Sequence, residues 1–200
     1  HRDVSPHNFL VGYDGVIRIS DFGIVKISNE IAHTQSGVKG KVAYMAPEQA
    51  LGKTLDRRTD LFALGIVMWE MLAGRRLFKA ATDFTTLQNV CTREVPPPST
   101  YQSKIPKEFD DITLRLLQRD PGERYATALD VSRDLRTLLV AGGVSLFAND
   151  IATFMAEICA DRMIRKQEME RKFQGAEQYD AEQLFKDSSK DGLLDTIQED

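Results

Sequence analysis

Two hundred residues carry 26 Lys and Arg against 30 Asp and Glu, a formal net charge of −4, and 42% of the chain is apolar. That is enough apolar material for one sizeable core in a mildly acidic globular protein, and it argues against a nucleic-acid partner. Cys91 and Cys159 have no Cys or His neighbour at metal-ligand spacing, so they read as reduced thiols of a cytoplasmic protein, and no apolar stretch is long enough to span the roughly 30 Å of a bilayer core.

In chain order, Phe9 to Gly12 and Val16 to Ile19 are short apolar runs around Tyr13-Asp14-Gly15. Asp-Gly between such runs predicts a β-hairpin. From Ile24 to Val42 the periodicity is lost and Ser, Thr, Gly and Lys accumulate, as in a mobile loop. Pro47 to Leu51 is read as a short helix. Asp60 opens a stretch in which Leu61, Phe62, Ala63, Leu64, Ile66, Val67, Met68, Trp69, Met71 and Leu72 leave no polar face, which predicts a helix buried all round. Further helical patterns cover Thr82 to Thr92, Lys107 to Gln118 and Thr127 to Leu139, with Pro96-Pro97-Pro98 as an extended connector. Beyond Gly142-Gly143 the character changes. Asn149 or Asp150 is placed as the cap of a helix carrying Ile151, Phe154, Met155 and Ile158, and the acidic stretch from Gly175 to Asp200 reads as disordered.

Three short signatures punctuate the first fifty residues: His1-Arg2-Asp3-Val4-Ser5-Pro6-His7-Asn8, Asp21-Phe22-Gly23 and Ala46-Pro47-Glu48. Their order and spacing resemble the protein kinases, in particular the bacterial Ser/Thr kinases of eukaryotic-like type, over residues 1–140. The resemblance implies a mostly α fold: a helical large lobe around the Asp60 to Leu72 helix, with a small β-hairpin beside the catalytic loop. Residues 141–174 are then a helical extension and 175–200 a disordered tail. It implies ATP and Mg²⁺ as cofactors and protein Ser/Thr hydroxyls as acceptors. It makes Asp3 the acceptor of the substrate hydroxyl proton, Asn8 and Asp21 the Mg²⁺ ligands, and Leu10 the residue under the adenine ring, supported from below by Val67 and Met71. His1 and Phe22 pack their ring faces together, and Phe22-Gly23 turns Asp21 toward or away from the metal. Glu48 is a buried carboxylate paired with Arg124, and Asp60 holds the catalytic-loop backbone. Arg2 grips a phosphate on the activation segment, where Thr34 and Ser36, then Ser28, are the candidate acceptors. The substrate lies along Lys39 to Met45, with docking help from the Thr82 to Thr92 helix.

The chain also departs from that pattern. Ser5 stands where Ser/Thr kinases place a Lys two residues after the catalytic Asp, so one point charge at the phosphate is missing. Gly40-Lys41 replaces a Gly-Thr pair, and Lys39 or Lys41 is a candidate to restore the charge. No Gly-rich loop, strand Lys or helix Glu of an ATP-clamping amino-terminal lobe precedes His1. The expectation is therefore a kinase fragment that transfers no phosphate alone and needs that lobe as a partner. A kinase-like scaffold is the rival of a different class, and a tyrosine or small-molecule kinase is the second.

Overall fold

The computed structural model describes residues 1–22, 41–144 and 147–171. These fall into two compact units, His1–Gly12 with Ile17–Leu146, and Tyr13–Val16 with the residues from Phe147 onward.

The first unit is mostly helical with one small antiparallel sheet, as expected. Strands β1 (Phe9–Val11) and β2 (Ile17–Ile19) pair with Phe9 opposite Ile19 and Val11 opposite Ile17. A 3₁₀ turn, Pro6–Asn8, leads into β1. After a second 3₁₀ turn at Lys41–Tyr44 come α1 (Pro47–Ala50), α2 (Arg57–Ala73), α3 (Asp83–Thr92), α4 (Lys107–Leu116) and α5 (Ala128–Ala141). Helix α2 starts three residues before the apolar stretch does. Asp56 caps it, its Oδ1 accepting from Arg58 N at 2.8 Å, so the start signal lay in a polar side chain rather than in the apolar pattern. Its end is set by Gly74, at φ 66°, a left-handed position where a side chain would be strained.

Helix α2 forms the axis of two apolar clusters. Phe62, Ile66 and Trp69 pack with Leu77, Phe78, Val90 and Ala46, while Leu61 joins Ile112, Leu116, Tyr125 and Val131. The expectation that it is buried all round fails along one stripe, where Leu64, Met68 and Leu72 are half-buried and Met71 is 78% exposed.

Close approach of α2 and α4 depends on Gly65. A Cβ at that position would stand 2.8 Å from Leu116 Cβ and 3.1 Å from Leu117 Cγ. Gly65→Ala should therefore destabilise the lobe. The gain in helix propensity, about 1 kcal/mol, is outweighed by overpacking of about 1–3 kcal/mol. Native-state hydrogen exchange on the full-length protein checks this, with faster exchange expected in both α2 and α4.

Helix α5 begins where its sequence pattern places it. Thr127 Oγ1 accepts from Asp130 N, and Asp130 Oδ2 accepts from Thr127 N at 3.1 Å.

In the second unit, Asp14 Oδ1 accepts from Val16 N at 3.0 Å, and Gly15 takes φ 75° as the Asp-Gly turn requires. Helix α6 (Ala148–Ile158) is followed by helical residues 160–171. Its cap position is Phe147 rather than Asn149 or Asp150. Asp150 serves from the third helical position, its Oδ2 accepting from Phe147 N at 2.8 Å. Among the described residues no helix is long and apolar enough to cross a membrane. The expected tail of 175–200 lies outside the described residues.

Candidate active site

The site is built on the eight residues that open the chain. Asp60, in the first turn of α2, accepts the main-chain nitrogens of His1 at 2.8 Å and Arg2 at 2.7 Å, one on each carboxylate oxygen. These bonds hold Arg2 at φ 66°, a left-handed conformation that costs a branched or long side chain energy and persists only where its surroundings impose it. Gln49 of α1 adds a contact of 3.4 Å from Nε2 to the Arg2 carbonyl, and its Oε1 accepts from Ala46 N at 2.9 Å. The segment entering α1 is thereby tied to the loop that carries Asp3.

Within the loop, Asp3 N donates to His1 Nδ1 at 3.3 Å. Since Nδ1 accepts, the ring proton sits on Nε2, which donates to Ser20 O at 2.9 Å. Asn8 is buried. Its Nδ2 donates to Asp3 O at 2.6 Å, which leaves Oδ1 as the ligand-competent atom, while its carbonyl accepts from Ser20 N at 2.9 Å. Ser20 precedes Asp21, so this bond brings the Asp21 backbone beside Asn8. Asp21 is exposed and has φ 59°, a second non-glycine residue in the left-handed region. Strained backbone of this kind gathers at functional sites.

Asn8 Oδ1 and the Asp21 carboxylate are hard oxygen donors, the kind Mg²⁺ takes one or two of when phosphate and water fill its other positions. Among the described residues no group of three or more His, Cys, Asp or Glu could hold a metal. The donor set fits a metal brought in with a phosphate ligand and not a closed structural site.

The rings of His1 and Phe22 meet at 4.7 Å between centroids and 48° between planes, tilted rather than parallel, with Phe22 63% exposed. Leu10, on β1, is 54% exposed. Ser5 is 1% exposed, and its Oγ has no hydrogen-bond partner among the described residues. A buried hydroxyl therefore stands where the resemblance calls for an ammonium. Gly23, Ser28, Thr34, Ser36, Lys39 and the body of the expected activation segment lie outside the described residues.

Glu48 and Arg124 form a buried two-pronged pair, Nη1 to Oε1 and Nη2 to Oε2, both at 2.8 Å. Thr59 Oγ1 adds a bond to Oε1 at 2.9 Å. Burial alone would raise the Glu48 carboxyl, but the bonds from Arg124, its charge and the Thr59 hydroxyl together hold it below the usual carboxylate value. Arg124 also donates to the carbonyls of Arg58, Gln118 and Arg119.

One cluster escaped the sequence reading. Tyr44, in the turn before α1, donates its hydroxyl to Glu70 Oε2 at 2.7 Å, and Arg76 Nη1 donates to the same oxygen at 2.9 Å and to the Tyr44 hydroxyl. Leu77 N donates to Glu70 Oε1 at 3.0 Å. Burial pushes the Glu70 carboxyl up, and the Leu77 amide opposes that rise. Tyr44 and Arg76 are 32 residues apart, and no spacing rule links them. Gln49 was more accessible to sequence reasoning, being a glutamine at the third position of a helix opened by Ala46-Pro47.

The chain's residues 1–134 match the family described as "Protein kinase domain". The tyrosine-protein kinase MasK of Myxococcus xanthus is 41% identical over 140 residues, covering 70% of this chain and 22% of that protein. A probable serine/threonine-protein kinase of Clostridium perfringens is 40% identical over 140 residues, covering 69% and 20%. The serine/threonine-protein kinase PrkC of Bacillus subtilis is 37% identical over 139 residues, covering 68% and 21%. The chain thus spans about a fifth of the length of these curated relatives.

Proposed function

Given that the chain belongs to the protein kinase family, we propose that it is the catalytic and substrate-binding lobe of a cytoplasmic serine/threonine kinase that uses ATP and Mg²⁺. The observation that carries this reading is the Asp3 to Asn8 loop. Its backbone is pinned by Asp60, its Asn8 amide is locked to the Asp3 carbonyl, and Ser20 joins it to the strand that delivers Asp21.

In this role Asp3 accepts the proton of the acceptor hydroxyl. The oxygen forms its bond to the γ-phosphorus of ATP as the bond to the β,γ-bridging oxygen breaks, and ADP leaves with that oxygen's charge. Asn8 Oδ1 and Asp21 are the atoms that would hold Mg²⁺, which supplies charge neutralisation on the phosphates when bound. His1, Asp60 and Gln49 act through the backbone: they keep the Asp3 carboxylate where the hydroxyl arrives. Glu48 and Arg124 anchor the segment that follows the acceptor channel. With Ser5 in place of a lysine, positive charge at the transferred phosphate has to come from elsewhere, and Lys39 and Lys41 are the candidates. Arg2 is the proposed clamp for a phosphate on Ser28, Thr34 or Ser36.

Names among the relatives divide over the acceptor, two of the three quoted above being serine/threonine kinases and one a tyrosine kinase. Phosphoamino-acid analysis of substrates labelled by the full-length protein with Mg-ATP tests the reading. Phosphoserine and phosphothreonine are expected. Phosphotyrosine alone would overturn the acceptor class, and absence of transfer would favour the scaffold, a reading that retention of Asp3, Asn8 and Asp21 argues against.

A further inference from the structure

If Asp3 receives the acceptor hydroxyl, as proposed above, the rest of the peptide passes over the segment that Gln49 ties to the loop, and Tyr44 belongs to that segment. Among the described residues, Glu70 and Arg76 are the charged side chains bonded to the Tyr44 hydroxyl. Glu70 is the carboxylate there, and neither oxygen is left open: Oε1 takes the Leu77 amide, and Oε2 takes both the Tyr44 hydroxyl and Arg76. Its side chain is also largely buried. Asp83, at the start of the helix packed on the same turn, pairs with Lys79 at 3.6 Å. Glu70 therefore offers a basic peptide side chain no open oxygen, and the charge of Asp83 is partly offset by Lys79. Arg76 is different, because its side chain is 56% exposed while, among the described residues, a single guanidinium nitrogen, Nη1, is committed to Glu70 and Tyr44. A guanidinium has five N–H groups, so most of its donors remain for an incoming anion.

We propose that Arg76 is a specificity-determining residue that selects acceptor peptides carrying an acidic side chain close to the phosphorylated hydroxyl. Glu70 and Tyr44 position it. They hold the guanidinium at the edge of the peptide channel, and its outward donors take the peptide carboxylate.

The test uses the full-length protein and a set of peptides identical except for one Glu, Gln or Lys at each position flanking the acceptor. At the position over Tyr44, Glu should exceed Lys in kcat/KM by about fivefold, the scale of an exposed ion pair, with the difference in KM rather than kcat. The preference should fade as salt rises to about 0.5 M. Arg76→Gln should abolish it and Arg76→Lys should keep most of it. If Arg76→Gln proves unfolded, Arg76→Lys and the salt series on the unaltered protein still decide the matter. Equal use of all peptides, or a preference for Lys, would overturn the proposal. Fluorescence anisotropy of the same peptides needs no turnover: selective Glu-peptide binding without phosphate transfer would uphold Arg76 while defeating the kinase reading, and transfer without selectivity would do the reverse.

Discussion

Asp3→Asn in the full-length protein lowers kcat for phosphoryl transfer by about 10²–10⁴-fold, the range of a positioned general base, and leaves stability and the KM for ATP close to their original values. The separation is expected because two of the bonds that shape the loop at this residue use its main chain. Asp3 N donates to His1 and Asp3 O accepts from Asn8, and both bonds survive the change from carboxylate to amide. What the reaction loses is the ability to pass a proton to a carboxylate. Rates measured at saturating ATP and peptide check the first part, and hydrogen exchange across the loop checks the second. A fall of less than about tenfold in kcat, with the loop still protected, would remove Asp3 from the role of base.

Arg124→Met is expected to cost about 3–5 kcal/mol, the typical penalty for removing one member of a buried ion pair. The change strands the Glu48 carboxylate and takes a donor away from the carbonyls of Arg58, Gln118 and Arg119. The guanidinium also lies 4.8 Å from the Phe62 ring centroid, so part of the core loses its cover. Native-state hydrogen exchange should show the loss in α1 and in residues 118–127, and Glu48→Gln added to Arg124→Met should recover part of it.

The pH dependence supplies an independent sign. Because the folded-state pKa of Glu48 lies below its ordinary value of 4.5, the pair contributes stability that is complete above that value and is lost as pH falls through the lower, folded one. In Arg124→Met the opposing effect of burial is left without its main counterweight. The folded carboxyl then titrates above its unfolded value, and acidification toward pH 4.5 stabilises the variant instead of weakening it. If both proteins responded to acid in the same direction, the pair would not be the source of the effect.

Much of the lobe could be read along the chain because its elements end in residues with local mechanisms. Asp14-Gly15 turns the hairpin, Thr82 and Thr127 cap α3 and α5, and the Lys107 helix starts where its pattern does. Misreadings occurred where the local signal pointed elsewhere. At α2 the apolar run begins after the cap at Asp56, and at α6 Asn149 and Asp150 are the cap-type residues while Asp150 bonds back to Phe147 from inside the helix. Met71 belongs to an apolar run yet is exposed, since periodicity reports how a helix is composed and not which neighbours cover it.

For the site, the residue types were legible and their coupling was not. His1, Asp3, Asn8, Asp21, Glu48 and Arg124 stand out by motif and spacing, and from the same chain came the hairpin, the helical lobe and the kinase resemblance. Only the folded arrangement decided that Ser5 is a buried hydroxyl without a hydrogen-bond partner among the described residues, that Gln49 ties α1 to Arg2, and that Arg76 closes on Tyr44 and Glu70. The physical reason is range. Turns, caps and periodic faces depend on residues within about four positions of each other, so their chemistry is written locally. Charge compensation and burial depend on which distant segments meet, and that is settled when α2 packs against its neighbours.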